Sequence, residues 1–198
     1  IEMPASSLHP DNVASAIQAA CLSGLVPDQA ALSTALLRAM PAIVLPGRLQ
    51  YLSARKANDD NDQGSVAVLL DVSHNPHAAV VLAEEIQGWR EQKAKSTGQV
   101  RVVLAMMADK DHLGYVSCLE NQVDFWYIGD LEMPRCMRAG ELSDKLSPAL
   151  EMIVPPVTGN DVSERFGQAL SDAGAEDLIV VCGSFFTVAR ILPEACLH

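Results

Sequence analysis

The stretch VAVLLDVSHNPHAA, residues 66–79, decides the fold class of this chain. An apolar run is followed by an acidic residue, a short polar loop and a proline that opens an amphipathic segment. The pattern predicts a buried strand that ends at Asp71 and a helix that begins at Pro76. Ligands of open α/β sheets bind just outside the carboxyl ends of the strands. Asp71 and His74 are therefore the first candidates for a functional site.

Short apolar strands alternate with amphipathic helices on both sides of this stretch. The pattern predicts strands at residues 49–55, 66–70, 100–106, 123–128, 152–154 and 178–182, and helices near 76–90, 112–119, 139–146, 161–173 and 184–195. The polar segment 56–64 predicts an exposed hairpin loop. The alternation predicts an α/β, Rossmann-like domain over residues 47–198, with a mostly parallel sheet and helices on both faces.

Residues 1–46 show a different pattern. Apolar positions at helical spacing predict one helix that ends at Gly24 and a second helix over residues 28–40. Prolines then interrupt the helical pattern, so we predict a domain boundary or hinge near residues 42–48. The chain begins with Ile rather than Met, and we expect it to be a piece of a longer protein.

Composition limits the partners of the chain. Of its 198 residues, 25 are acidic and 14 are Lys or Arg, which gives a net charge of −11 and argues against general binding of nucleic acid or anionic membranes. No apolar run approaches the roughly 18 residues of a membrane-spanning helix. The five cysteines are scattered and form no C-x-x-C pair, so we expect reduced thiols in a cytoplasmic protein and no zinc site.

Three further residues stand at predicted strand ends or at the hinge, where an anion could bind. Ser184 would open a helix with unpaired backbone N–H groups, and its alternative role is an ordinary N-cap. Lys110 could face an anionic ligand, although a solvated lysine is the simpler interpretation. Arg48, at the hinge, could reach a nucleotide phosphate bound between two domains. For Asp71 and His74 the alternatives are a turn cap and a solvated loop histidine.

Three well-known motifs are missing from the sequence. There is no G-x-G-x-x-G dinucleotide fingerprint, no G-x-x-x-x-G-K-[ST] phosphate loop and no G-x-S-x-G nucleophile elbow. The residues at the strand ends therefore form only part of an active site. They offer groups for binding an anion, but no loop that grips a triphosphate and no obvious nucleophile.

Four motifs carry a family resemblance: LPGRLQ at residues 45–50, DVSHNPHAA at 71–79, MADKD at 107–111 and CGSFFTVA at 182–189. Together they resemble the C-terminal part of folylpolyglutamate synthase in its bacterial form, which is bifunctional with dihydrofolate synthase and belongs to the ATP-dependent Mur ligases. The segment NVASA at 12–16 is similar to the family's Asn-bearing helix that closes the central ATPase domain. Ser73 departs from the alanine common at that position, and Phe186 from a polar residue found in some members.

The resemblance implies a reaction and its ligands. ATP phosphorylates a carboxylate of dihydropteroate or folate, the amine of L-glutamate attacks the acyl phosphate to form an amide, and Mg²⁺ bridges the phosphates. By the same resemblance, Asn12 contacts the adenine, Arg48 the nucleotide phosphates and Asp71 the ribose. His74 and Ser184, with Asp71 nearby, bind the incoming glutamate. The family's P-loop and magnesium ligands lie outside these residues, so we expect this chain alone to show no turnover.

Two other functions stay open at this level. A Mur-type ligase for cell-wall precursors shares the fold and the ATP chemistry, although the loop after Asp71 is of the folate type here. A non-catalytic binding module would also keep the groups at the strand ends. Under the ligase hypothesis, residues 1–41 end the central ATPase domain, and we expect an exposed apolar face there that promotes self-association.

Overall fold

A computed structural model describes residues 10–24, 28–40, 43, 45–55, 65–93, 97–147 and 157–196. The chain divides into two units, Ile1–Arg48 and Leu49–His198. The first unit contains the helices α1 (Pro10–Leu22) and α2 (Gln29–Ala39). Asp28 is the N-cap of α2, because its Oδ1 accepts a hydrogen bond of 2.7 Å from the Ala31 N–H.

The second unit is built on a six-stranded sheet. Its strands are β1 (Gln50–Arg55), β2 (Ser65–Leu70), β3 (Val100–Leu104), β4 (Phe125–Asp130), β5 (Val157–Asp161) and β6 (Leu178–Cys182). The spatial order is β1-β2-β6-β3-β4-β5. The edge strand β1 pairs antiparallel with β2, and the other neighbours pair in parallel. The predicted mostly parallel α/β sheet is confirmed.

The helices of this unit are α3 (Pro76–Gln92), α4 (His112–Ser117), α5 (Ala139–Leu146), α6 (Val162–Asp172) and α7 (Phe185–Cys196). The helices α3, α4 and α5 pack on one face of the sheet, and α6 and α7 pack on the other. After β5 the chain returns through α6 and places β6 between β2 and β3. This return makes β6 the centre of the sheet.

Strand β6 shows why the central strands read as continuous apolar runs. Ile179 and Val181 pack in the layer of α6 and α7, whereas Leu178, Val180 and Cys182 pack in the layer of α3, α4 and α5. Every residue of the strand is buried. Helices cover both faces of a parallel sheet, so neither face of its central strands can be polar.

Several predicted boundaries differ from the structure by one or two residues, and two predictions lie outside the described residues. Strand β4, predicted at residues 123–128, spans Phe125–Asp130. β1 begins at Gln50 because Leu49 has a φ of 45°, which does not continue a strand. β3 ends at Leu104 rather than at 106. The strand predicted at 152–154 and the hairpin loop predicted at 56–64 lie outside the described residues. The strand that pairs with β4 is β5. Within the described ranges, no helix combines the length and apolar character needed to cross a membrane.

A buried ion pair joins β3 and β6 at the amino-terminal edge of the sheet. Arg101 Nε donates to Asp177 Oδ2 at 2.9 Å, and each side chain is 8% exposed. Arg101 also donates to the Tyr127 hydroxyl at 3.0 Å. Burial by itself raises the pKa of Asp177, but hydrogen bonds from the N–H groups of Gln99 and Gly174 and from Arg101 outweigh burial and hold that pKa below its usual range.

Candidate functional site

The strand order brings three loops together at the carboxyl edge of the sheet. β2, β6 and β3 are neighbours, so the loops that follow them lie side by side; we call them the carboxyl-edge loops, residues 71–75, 183–184 and 105–111. Backbone hydrogen bonds join the first two loops. The Asp71 N–H donates to Val181 O at 3.0 Å, and the Gly183 N–H donates to Ser73 O at 3.0 Å. Two of the predicted site segments therefore form one bonded unit.

Asp71 is buried, and both of its carboxylate oxygens accept backbone hydrogen bonds. Oδ1 accepts from the Ser73 N–H at 2.8 Å, which forms the Asx turn that begins the loop. Oδ2 accepts from the Leu49 N–H at 3.0 Å, which anchors the residue before β1. Asp71 is therefore a turn cap. Its contacts with a ribose or with glutamate stay a prediction.

The ring of His74 is fixed in one tautomer. Its Nδ1 lies 2.9 Å from Val72 O. A carbonyl oxygen only accepts, so Nδ1 carries the hydrogen and Nε2 is the acceptor of the neutral ring. The ring centroid lies 6.2 Å from that of Phe185 at the start of α7, with the planes tilted by 48°. His74 is thus a half-buried imidazole with a defined acceptor atom beside an exposed aromatic ring.

The buried hydroxyl of Ser184 bonds within its own helix turn. Its Oγ accepts from the Thr187 N–H at 3.0 Å and lies 2.7 Å from Thr187 Oγ1. Because Thr187 Oγ1 donates to Ala105 O at 2.8 Å, Ser184 must be the donor in the hydroxyl pair. Ser184 is therefore the N-cap of α7. Sequence reasoning missed Thr187, although the Ser-x-x-Thr spacing at a predicted helix start is a local signal for it.

Gly183 allows the backbones of β6 and β3 to approach closely. Its φ is +104°, a region that glycine adopts readily and other residues rarely. A Cβ built at this position would lie 2.6 Å from Ala105 O and 2.8 Å from Leu104 Cδ1. Both its backbone conformation and its surroundings therefore require glycine.

The third carboxyl-edge loop carries a small charge cluster. Asp109 Oδ2 lies 3.3 Å from Lys110 Nζ, and its Oδ1 lies 3.2 Å from Arg135 Nη2. The hydrogen bond from Lys110 is the largest cause of the lowered pKa of Asp109. Asp111 caps α4 by accepting from the Gly114 N–H at 3.0 Å. Lys110 is therefore paired with its neighbour, and its contact with a ligand anion stays a prediction.

His112 supports this loop from the interior of the unit. It is fully buried, with Nε2 3.0 Å from Met107 O and Nδ1 2.9 Å from Lys145 Nζ. The carbonyl requires a donor at Nε2 and the ammonium requires an acceptor at Nδ1, so the ring is neutral. Burial lowers the pKa of His112, in agreement with this assignment. Sequence reasoning gave no role to His112, because its partners are set by packing.

A second buried group touches the site from α4. The Tyr115 hydroxyl lies 2.8 Å from Ser73 Oγ, and both residues are buried. Cys182 lies in the same interior layer, and burial raises the pKa of its thiol to about 12. The thiol of Cys182 is therefore protonated, and it interacts with the Tyr115 hydroxyl by a side-chain hydrogen bond.

Asn12 and Arg48, the two predicted nucleotide contacts outside these loops, belong to the first unit. Asn12 is exposed in the first turn of α1. Arg48 is also exposed, and its N–H donates to Leu45 O at 3.1 Å in a turn that contains Gly47 with a φ of 70°. Their contacts stay predictions. Among the residues that the structure describes, His, Cys, Asp and Glu side chains form no group of three or more that could hold a metal ion.

Comparisons with known proteins agree on the family. A model described as the Mur ligase, glutamate ligase domain matches residues 47–185. The dihydrofolate synthase/folylpolyglutamate synthase of Escherichia coli K12 is 34% identical over 190 residues, which cover 96% of this chain and 39% of that protein. The chain thus spans less than half the length of this curated relative.

Two solved structures of bifunctional folylpolyglutamate synthase/dihydrofolate synthase are also similar. The Yersinia pestis enzyme complexed with AMPPNP and Mn matches with a TM-score of 0.71 and 33% identity, over 97% of this chain and 40% of that chain. A structure with Mn, AMPPNP and L-glutamate bound matches with a TM-score of 0.61 and 35% identity, over 78% of this chain and 32% of that chain.

Proposed function

Since the chain belongs to the Mur ligase family through its glutamate ligase domain, we propose that it works as the C-terminal domain of an ATP-dependent ligase that adds L-glutamate to dihydropteroate or folate. Such an enzyme activates a carboxylate of the pterin substrate as an acyl phosphate. The glutamate amine then displaces phosphate and forms an amide. The relatives that match nearly the whole chain carry both the dihydrofolate synthase and folylpolyglutamate synthase names, which supports this substrate class.

The proposal rests mainly on one observation. Hydrogen bonds join the carboxyl-edge loops 71–75 and 183–184, and His74 lies beside the start of α7. When the His74 ring carries its hydrogen on Nδ1 alone, Nε2 can accept a hydrogen bond from the ammonium group of glutamate. The N-terminus of α7, a twelve-residue helix, carries partial positive charge that favours a carboxylate. Because the Ser184 hydroxyl is used in the helix cap, we assign Ser184 to the glutamate site through the backbone that it fixes. Asp71 holds the turn before His74 in place.

The nucleotide contacts follow the same proposal. Asn12 contacts the adenine, Asp71 the ribose and Arg48 the phosphates, with Lys110 as an additional cation near an anionic group. The residues that the structure describes provide no cluster for a magnesium ion. From the family resemblance, we assign the ligands of Mg²⁺ mainly to the part of the relatives that this chain does not span, and we assign no step to the ion here.

The test is a chimeric enzyme in which this chain replaces the 190 matching residues of the E. coli relative. Phosphate release from ATP is measured with dihydropteroate and glutamate. We expect release that requires glutamate, and we expect His74→Ala to lower kcat/KM for glutamate by about 10–100-fold, since it removes a hydrogen bond to a charged group. His77→Ala, an exposed change in the first turn of α3, the helix that follows the His74 loop, should stay within about twofold of the parent.

Other results of this assay assign other functions. Release that depends on a UDP-linked cell-wall precursor instead of a pterin would support the cell-wall ligase. A folded chimeric enzyme that binds ADP but releases no phosphate with either substrate would favour a non-catalytic module. Release unchanged by His74→Ala would keep the ligase and remove His74 from its site. The 198 residues alone are the baseline and should show no turnover, because the sequence has no phosphate loop.

We further propose that the isolated chain self-associates through α1 and α2. Leu22 is 82% exposed and Leu37 is 64% exposed, which is unfavourable for large apolar side chains in water. Light scattering should give a mass above that of one chain, and the variant Leu22→Gln/Leu37→Gln should return to a single-chain mass. A single-chain mass for the parent at every concentration contradicts this proposal.

We also propose a cytoplasmic setting for this chemistry. The side chains of four cysteines are described, and all four are free of disulfides: Cys21, Cys118, Cys136 and Cys182. Free thiols on a protein persist in reducing compartments. Cys21 is exposed and would be the first of the four to oxidise elsewhere.

A further inference from the structure

We propose that Tyr115 is a positioning residue of the site: its buried hydroxyl holds Ser73 and through Ser73 sets the position of His74. Tyr115 belongs to α4, which follows β3, whereas Ser73 and His74 belong to the loop that follows β2. The effect on glutamate rests on the proposed function. The coupling between Tyr115 and His74 is a property of this chain alone and can be measured without any activity.

The contact itself is short and isolated from solvent. The Tyr115 hydroxyl lies 2.8 Å from Ser73 Oγ, and the two residues are 0% and 1% exposed. Most buried side-chain hydroxyls have a hydrogen-bond partner, because water cannot reach them to replace a partner that is lost. Burial raises the pKa of Tyr115 well above its usual value. Its hydroxyl therefore stays protonated at neutral pH and can keep this bond.

Ser73 is held by hydrogen bonds from three directions. Its N–H donates to Asp71 Oδ1 at 2.8 Å, its carbonyl accepts from the Gly183 N–H at 3.0 Å, and its side chain meets Tyr115. The partners come from the end of β2, the end of β6 and α4. Ser73 therefore connects the end of β2, the end of β6 and α4 through hydrogen bonds.

His74 follows Ser73 directly, and its ring is bonded to the carbonyl on the other side of Ser73. His74 Nδ1–H donates a hydrogen bond to Val72 O at 2.9 Å. This bond bridges Ser73, the residue whose hydroxyl Tyr115 contacts. A change in the backbone at Ser73 alters the distance between the His74 ring and Val72 O. Loss of the Tyr115 hydroxyl leaves Ser73 Oγ buried without this partner, and the loop must shift to satisfy it.

The first test uses the 198-residue chain itself and NMR of its histidine rings. The ¹⁵N shifts of an imidazole report which nitrogen carries the hydrogen. In Tyr115→Phe we expect the His74 signals to move and to lose the pattern of a single Nδ1–H tautomer, while the His77 signals stay unchanged. Tyr51→Phe is the matched control, because it also removes a tyrosine hydroxyl. The Tyr51 hydroxyl donates to Glu85 Oε1 at 3.0 Å and takes no part in the loop that contains His74.

Ser73→Ala is a second variant that removes the same bond from the other side. We expect Ser73→Ala to move the His74 signals in the same direction as Tyr115→Phe. The double variant should show no further change, because all three variants lack the same hydrogen bond between Tyr115 and Ser73. His74 signals that stay in place in a folded Tyr115→Phe or Ser73→Ala variant overturn the proposal. Additive changes in the double variant also overturn it, because they show that the residues act separately.

The second test uses the chimeric enzyme defined above. Tyr115→Phe should raise the KM for glutamate by about tenfold while kcat and the KM for dihydropteroate stay within about twofold, since only glutamate contacts His74. If Tyr115 had only a structural role, Tyr115→Phe would lower the thermal stability and leave the KM for glutamate unchanged relative to kcat and to the KM for dihydropteroate. If the parent chimera releases no phosphate, the proposed function has failed, and the NMR result still decides the coupling. An active chimera with an unchanged glutamate KM overturns the positioning role.

Discussion

Asp177→Asn is expected to lower the free energy of unfolding by about 3–5 kcal/mol, because it leaves a buried guanidinium without its counter-charge. Arg101 and Asp177 meet at 2.9 Å, and each side chain is 8% exposed. Arg101 cannot give up its proton at any usual pH. The folded state must therefore bury the charge of Arg101 unpaired or open the amino-terminal edge of the sheet to water. Urea unfolding at pH 7 measures the loss directly.

The neighbouring ion pair between Lys93 and Glu176 is the matched control. It has a similar distance of 3.0 Å, but its side chains are 45% and 58% exposed, so Glu176→Gln should cost less than about 1 kcal/mol. A loss for Asp177→Asn as small as the loss for this control would show that water reaches Arg101 and that the buried pair contributes little.

The contribution of Asp177 also depends on pH in a defined direction. The pKa of Asp177 is lowered in the folded state, so its stabilisation is present above the unfolded pKa of about 3.9 and is lost as the pH falls through the lower folded pKa. The stability difference between the parent and Asp177→Asn should therefore narrow below about pH 4. A difference that stays constant through that range would contradict the lowered pKa.

Gly183→Ala is expected to cost about 2–5 kcal/mol of unfolding free energy, with strain at positive φ and steric overlap both contributing. The added Cβ would lie 2.6 Å from Ala105 O. Ala105 O already accepts the hydrogen bond from Thr187 Oγ1, so the oxygen cannot retreat without breaking that bond. The Gly183 N–H also bonds Ser73 O, and we expect the substitution to shift the NMR signals of His74 as well.

Gly88→Ala is the control for Gly183→Ala. Gly88 lies inside α3, and a Cβ there meets no atom within 4 Å. The same chemical change should therefore raise stability by up to about 1 kcal/mol through the better helix propensity of alanine. Thermal or urea unfolding of the two variants should give opposite signs. A Gly183→Ala protein as stable as the parent would show that β6 and β3 can separate at little cost.

Local signals predicted two elements with both ends correct. α5 and β6 have the predicted bounds, residues 139–146 and 178–182, because helical spacing in one and a continuous apolar run in the other are unambiguous. β3 was predicted two residues too long. Its extension does not pair within the sheet; Met106 O accepts from Met137 N and Met107 bridges to Cys136. That exchange of partners depends on a loop thirty residues away.

The site was predicted in part. Strand-end position and turn chemistry selected Asp71, His74 and Ser184 from the sequence, and all three lie on joined loops. The hydrogen bonds that already occupy Asp71 and Ser184 could not be predicted, because a carboxylate or hydroxyl at a strand end looks the same whether it caps a turn or faces a ligand. Tyr115 was missed because it is 42 residues from Ser73 and resembles an ordinary core residue.

Local patterns along the chain are sufficient to specify the class of the fold, the alternation of strands and helices, and which residues stand at strand ends. These features follow from side-chain period, capping and turn preferences, which act over a few neighbouring residues. The strand order, with β6 inserted between β2 and β3, is known only from the folded structure. That order results from packing between distant segments, which no local pattern encodes. It is also what brings His74, Ser73 and the start of α7 to one edge of the sheet.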